Sequence, residues 1–232
     1  RKHPQKNNIA SETLLNYDIG YVYFKLGEYQ YALKSFKAFN KTNSIFDISY
    51  QFDTYLRIGD CHFALKDYWE AMENYNMSIL LNPKKGGYAS FQKAISYGFV
   101  QRNSIKIKAL SNFLNDYPNN ELLDDALFEL ASTLSREEEF KKAIETYDKL
   151  ITTFETSPFL AKAALNKGLI LYNLEEYNLA NTVLKKIAVK FNRYTVGEQA
   201  IRTLKEIAVE QGSITDFIQW TKENKLNTFS DL

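Results

Sequence analysis

From Tyr17 onward, apolar residues recur at spacings of three and four, the interval that lines one face of a helix. Short polar breaks interrupt them: KLGE at 25–28, ALKD at 64–67, REEE at 136–139 and NLEE at 173–176. Each break parts two helical segments, so the pattern predicts a helix, a tight turn and a helix, over and over. Units close on proline: Pro83 after LLN, Pro118 after NDY, and Pro158 shortly after TTF. Proline ends a helix after its last turn and lets the chain reverse. With 4 prolines and 9 glycines, there is little material for β-turns.

The units align. In YDIGYVYFKLGEYQYALKSF, LRIGDCHFALKDYWEAMENY, QKAISYGFVQRNSIKIKALS, FELASTLSREEEFKKAIETY and LNKGLILYNLEEYNLANTVL, one column holds Gly20, Gly59, Ala94, Ala131 and Gly168. Their spacings are 39, 35, 37 and 37 residues. Twelve residues after each anchor stand Ala32, Ala71, Lys106, Ala143 and Ala180. A third column, three before this second one, holds Tyr29, Tyr68, Asn103, Phe140 and Tyr177; a fourth, four after it, holds Phe36, Tyr75, Leu110, Tyr147 and Leu184. Small residues let two helix backbones approach, because contact-residue size sets the interaxial distance. The aromatic columns fill the wedge between a pair and its neighbour. A fixed period of this length marks a solenoid of stacked helix pairs. A degenerate sixth pair follows in VGEQAIRTLKEIAVEQGSITDFIQWTKE, with Gly212 at its turn.

Repeat three departs from the pattern. Lys106 replaces Ala, Asn103 replaces the turn aromatic, and NPKKGGY precedes the unit. The expectation is that the Lys106 stem runs out to solvent. The second helix would then shift outward, and the array would bend or loosen between residues 84 and 106.

Charge narrows the function classes. Lys and Arg number 29 against 28 Asp and Glu, a balance that argues against binding nucleic acid. No apolar run approaches the ~18 residues that a membrane span needs. The opening RKHPQKNNIASET lacks the apolar core of a signal peptide and has no initiator Met, so it reads as an internal start, with His3 in a frayed terminus. The closing NTFSDL reads as an unsealed end where another unit could begin. The single cysteine permits no internal disulfide.

Candidate chemistry is sparse. Asp60, Cys61 and His62 stand side by side in IGDCHFALKDYWEA. Yet His62 shares a column with Tyr23, Tyr97, Leu134 and Leu171, and Cys61 with Val22, Ser96, Thr133 and Ile170. Those are packing columns, and a free cysteine packs as a small hydrophobe. Adjacent helical residues also diverge by roughly 100°, so the two cannot act as nucleophile and base. Two histidines and one cysteine do not make a usual zinc site, and neither a phosphate loop nor a nucleophile elbow is present. Glu137–Glu139 and Asp124–Asp125 sit where helices begin, as capping or solvated charge. No cofactor, metal site or catalytic residue is expected.

The residues that define the period resemble those of tetratricopeptide repeats. Repeat two shows nearly the whole family pattern in Tyr55, Gly59, Tyr68, Ala71, Tyr75 and Pro83. The resemblance implies an all-α fold, an α-α superhelix of about five helix-turn-helix repeats plus a degenerate sixth pair. Repeats are expected near 12–48, 49–84, 85–120, 121–157 and 158–194, with the extra pair at 195–226 and a frayed segment at 1–11. The whole of 12–232 would form one solenoid.

The resemblance further implies that ligand contacts come from three positions on each first helix: three before, one after and four after the small anchor. Here those are Tyr17, Tyr21 and Phe24, then Leu56, Asp60 and Phe63, then Phe91, Ile95 and Gly98, then Phe128, Ser132 and Ser135, then Leu165, Leu169 and Tyr172. This aromatic lining with little charge would either grip apolar side chains of a peptide or helix, or bury itself. Tyr17 and Tyr21 stand where carboxylate-clamp cochaperones carry Lys and Asn, so that submotif is excluded. Units of about 37 residues ending in YP or F…SP resemble the bacterial cell-envelope branch. That branch includes the lipoprotein subunit of the outer-membrane assembly machine, the Tol-Pal coordinator and long Bacteroidetes proteins. The implied function is a non-catalytic scaffold for a protein or peptide partner, placed in the periplasm or at the outer membrane. The partner could also be further repeats of a parent chain, or a second copy meeting an uncapped end. The alternative is a sensing module within a larger protein.

Overall fold

A computed structural model of the chain describes residues 4–42 and 47–226, with the side chains of 4–11 and 42 excepted. His3 and the NTFSDL end lie outside the described residues. Among the described residues twelve α-helices follow one another: α1 Pro4–Lys25, α2 Tyr29–Thr42, α3 Ile48–Ala64, α4 Tyr68–Leu81, α5 Gly87–Phe99, α6 Asn103–Asp116, α7 Leu123–Arg136, α8 Phe140–Thr153, α9 Leu160–Asn173, α10 Tyr177–Lys190, α11 Thr195–Glu210 and α12 Ile214–Glu223. A 3-10 turn, Pro83–Lys85, precedes α5. Among the described residues there is no strand. The all-α fold of helix hairpins is the one that the period predicts. α1 begins at Pro4, inside the stretch expected to fray; proline's fixed φ suits the first position of a helix.

The helices fall into two compact units, Arg1–Leu122 and Leu123–Leu232. Each holds three hairpins, α1 to α6 in the first and α7 to α12 in the second.

Every hairpin turns in three residues, and the middle one is left-handed: Gly27 (φ 77), Lys66 (φ 66), Gln101 (φ 58), Glu138 (φ 60), Glu175 (φ 60) and Gly212 (φ 66). The last helical carbonyls are satisfied in the same way each time. At the first turn Glu28 N–H donates to the Tyr23 carbonyl and Gly27 N–H to that of Phe24; at the second, Asp67 donates to His62 and Lys66 to Phe63. This is the paired bond of a Schellman cap. Four of the six turns hold the left-handed backbone without glycine, a conformation that costs an L-residue roughly 1–2 kcal/mol.

Within a hairpin the fourth column lies on the first. A Cβ added at Gly20 would stand 2.7 Å from two ring carbons of Phe36; at Gly59, 2.7 Å from two of Tyr75; at Gly168, 2.5 Å from Leu184 Cδ2. The missing side chain is filled by a large one sixteen residues on. Ala32, Ala71, Ala143 and Ala180 are fully buried beside these seats, as are Phe36, Tyr75, Leu110, Tyr147 and Leu184.

Repeat three corrects the expectation for Lys106. Its side chain does not run out to solvent: Lys106 is 4% exposed. The stem lies over Gly98, where an added Cβ would meet Lys106 Cδ at 3.0 Å. Gly98 occupies the column that carries Phe24, Phe63, Ser135 and Tyr172 elsewhere, so the absence of any side chain there makes room for the larger residue. α6 is not pushed outward either, since Leu110 and Phe113 remain fully buried.

Gly59→Ala is expected to lower stability by about 2 kcal/mol, as overpacked cores do. Glu138→Gly relieves a left-handed turn residue and is expected to leave stability unchanged or raise it by up to about 1 kcal/mol. Urea unfolding midpoints check both, and a Gly59→Ala variant as stable as Glu138→Gly would contradict the packing.

Candidate functional site

In the first unit, α1 and α3 carry a connected polar chain that reaches α4 and α5. Tyr17 Oη on α1 donates to Asp53 Oδ2 on α3 at 2.8 Å, and Tyr21 Oη donates to the same oxygen. Arg57 Nε, one turn further along α3, donates to Tyr21 Oη at 3.1 Å, and Arg57 Nη1 to Asp60 Oδ2 at 2.7 Å. Asp60 Oδ1 accepts from Tyr75 on α4 at 3.0 Å and from Tyr88 on α5 at 3.1 Å. The guanidinium also lies 5.8 Å from the ring centres of both Tyr21 and Phe24. The spacing of Asp53, Arg57 and Asp60 along one helix face is what lets a single Arg meet both acids.

The electrostatics follow burial. Burial raises the Tyr17 and Tyr21 phenols above their ordinary range, and the Asp53 carboxylate adds to it. Burial pushes Asp60 up against the opposing pull of Arg57, Tyr75 and Tyr88. For Arg57 burial works against the charge, but Tyr21, Asp60 and Asp53 outweigh it and hold the guanidinium protonated.

The remaining candidate residues of this unit are distributed around the chain. Leu56 joins Ala71, Tyr75 and Ala89 in the core, and Phe91 packs on Phe113 at 5.7 Å. Phe63 meets Tyr68 and Phe99, each at 5.5 Å, while Ile95 is half-buried on α5. A cavity of about 520 Å³ lies beside the polar chain, lined by Tyr17, Tyr50, Phe52, Asp53 and Lys85 among others.

In the second unit, a cleft of about 490 Å³ runs between α7 and α9. Phe128, Ser132 and Ser135 line it from α7; Lys162, Asn166 and Leu169 line it from α9. Its floor is polar at one point, where Tyr147 Oη lies 3.0 Å from Ser132 Oγ and accepts from Asn166 Nδ2 at 3.1 Å. One wall is aromatic: Phe128 stacks on Phe159 at 4.9 Å, and Lys162 Nζ lies 5.4 Å from the Phe128 ring centre. Leu165 is buried in the core, and Tyr172 lies outside the cleft, donating to Glu210 Oε1 at 2.9 Å. The cleft therefore brings together Phe128, Ser132, Ser135 and Leu169 of the candidate residues, together with Lys162 and Asn166, which the column reading did not select. A signal exists for Asn166: the column two before each anchor, Asp18, Arg57, Gln92, Glu129 and Asn166, is polar in every repeat, whereas the column of Lys162, which holds Leu14 and Tyr88 in other repeats, gives none.

Cys61 and His62 sit as packing residues. Cys61 joins Ala32, Leu33, Phe36 and Ile58, and burial pushes its thiol up to about 12. His62 Nδ1 lies 3.3 Å from Asp67 Oδ2. Among the described residues no cluster of His, Cys, Asp and Glu is arranged to hold a metal ion, and no helix is long and apolar enough to cross a membrane.

Residues 52–85 and residues 125–157 each match a tetratricopeptide-repeat family model. These two segments, repeats two and four of the array, are tetratricopeptide repeats. Solved structures of similar fold include MamA, residues 41 to the end, from Desulfovibrio magneticus RS-1, with 16% identity over 75% of this chain and 92% of that one at a TM-score of 0.62. The apo form of RapI matches over 91% of this chain and 64% of its own, at 13% identity and a TM-score of 0.72. YrrB, a TPR protein with an unusual peptide-binding site, matches over 81% and 90%, at 15% identity and a TM-score of 0.62. At these identities the likeness is one of fold. Comparison of the sequence with curated proteins finds no match.

Two outcomes test the geometry. Arg57→Ala leaves Asp60 buried without its cation and is expected to cost about 2–3 kcal/mol, below a fully buried pair because Arg57 is partly exposed. Lys142→Ala, which breaks an exposed pair with Glu139, is expected to cost less than about 0.5 kcal/mol; equal losses on denaturation would contradict the assignment. At pH 8, Cys61 is expected to react with a thiol reagent only once urea unfolds the chain, because the thiolate is the reactive form. Prompt labelling of the native protein would contradict its burial.

Proposed function

We propose that the chain is a non-catalytic interaction scaffold that grips a peptide or helix of a partner protein along the inward face of its first helices. The cleft between α7 and α9 supports this reading most directly. It offers a ring and a Leu side chain for apolar anchors, with Asn166, Ser132 and Lys162 placed to meet a peptide backbone or an acidic side chain. Recognition of an extended or helical segment works in this way, with pockets for a few side chains and fixed polar groups between them.

Tyr17, Tyr21, Phe24, Leu56, Asp60, Phe63, Phe91 and Ile95 form the corresponding proposed face of the first unit. There the hydroxyls and carboxylates already serve one another, so that part contributes shape and aromatic surface more than free hydrogen-bonding groups. YrrB supplies a tetratricopeptide precedent for peptide binding. The proposed setting is the bacterial cell envelope, on the strength of repeat length and unit endings. Recovery of the protein from the cytosolic fraction of its source cell would remove that part of the reading.

Peptides selected from a displayed library on the wild-type chain are expected to lose about tenfold or more in affinity for Leu169→Glu, as central anchors do. They should bind Trp69→Ala unchanged, since Trp69 is an exposed side chain of α4. Peptides that bind both variants equally would rule out the cleft.

A further inference from the structure

The stacking columns that close the array elsewhere lie open on α1. Five before and two after the anchor, α3 carries Thr54 and Cys61, α5 carries Ala89 and Ser96, and α9 carries Ala163 and Ile170, none more than 5% exposed. The second helix of the preceding hairpin covers them: Cys61 packs with Ala32, Leu33 and Phe36 of α2, and Ala89 with Ala71 and Tyr75 of α4. In α1 the same two columns hold Leu15 and Val22, which are 55% and 58% exposed. Ile19 and the 69% exposed Leu26 complete one stripe at spacings of four, three and four, the pattern of a helix–helix seam.

We propose that this stripe is a self-association face, seating α1 of a second copy antiparallel across a two-fold axis. Two observations favour a second copy over another hairpin stacked as the internal ones are. The column five before the anchor is Thr or Ala in every other repeat, Thr54, Ala89, Ala126 and Ala163. Close stacking of hairpins uses that small size, and the Leu15 side chain holds such a neighbour off. The stripe is also complementary to itself. Run antiparallel, Leu15 faces Leu26 of the second copy and Ile19 faces Val22. Exposed Asp18 and Lys25, which lie on the same flank one heptad apart, then come side by side, Asp18 of each chain with Lys25 of the other. A two-fold interface has this reciprocal form. Charges at its edge select the register.

Sedimentation velocity on the 232-residue chain, from micromolar to sub-millimolar concentration, tests the proposal. The wild type is expected to pass reversibly from monomer to dimer. Asp18→Lys and Lys25→Asp each set like charges together twice, so each alone is expected to weaken the dimer about tenfold. Their equimolar mixture restores both pairs and is expected to recover the wild-type affinity. Both positions are exposed, so unchanged circular dichroism and melting of the variants separate an interface effect from misfolding, and Leu15→Glu is expected to abolish the dimer. A wild type that stays monomeric throughout, a dimer indifferent to the charge variants, or a mixture no tighter than either variant alone would each overturn it.

Discussion

The structure depends on one repeated contact, in which a large side chain of each second helix rests on a first-helix Cα that carries almost nothing. Phe36 over Gly20, Tyr75 over Gly59 and Leu184 over Gly168 are the barest cases. Dispersion gains accumulate only at contact distance, so two helices separated by even one extra methyl forfeit much of them. The constant separation of sixteen residues fixes the turn at three, and the turn in turn needs a left-handed residue with its two capping bonds. Close approach by the second helix uses one side of the first, which leaves the rest of α1 and α3 in the first unit, and of α7 and α9 in the second, available for polar groups and clefts.

How far this could be read from the sequence varies by column. The small anchors and their large partners were legible because glycine and alanine recurring at a fixed period mark the places where two helix backbones meet. The turn residue was not: Lys66, Gln101, Glu138 and Glu175 show no preference for a left-handed backbone, and only Gly27 and Gly212 announce it. Lys106 taken alone breaks the small-residue column of repeat three. Its compensation lies at Gly98, two columns away, and becomes visible only when both substitutions are considered as one volume exchange. Tyr17 and Tyr21 were recognisable as lining, but a ring column does not say where its hydroxyls go. Their partner Asp53 belongs to a helix more than thirty residues later, and no periodicity links the two.

The two units use equivalent columns of their first helices differently. In the first, Asp53, Arg57 and Asp60 tie α1, α3, α4 and α5 together, so polar atoms that could have met a ligand are satisfied internally. Buried networks of this kind hold helices in register more than they add net stability. In the second, Ser132, Asn166 and Lys162 border a cleft with an aromatic wall. One repeat design thus yields a braced face and an open one, according to which polar residues stand two and six before the anchor.

The seating of a large residue on a bare backbone is tested most directly by a double-mutant cycle at Gly168 and Leu184, read by urea denaturation. Gly168→Ala alone should destabilise the chain, because its Cβ would meet Leu184 Cδ2 at 2.5 Å. In a Leu184→Ala background the added methyl has room, so its cost should shrink by about 1 kcal/mol or more, a coupling typical of residues in contact. Strictly additive losses would show that the two positions do not touch in the way that the hairpin requires.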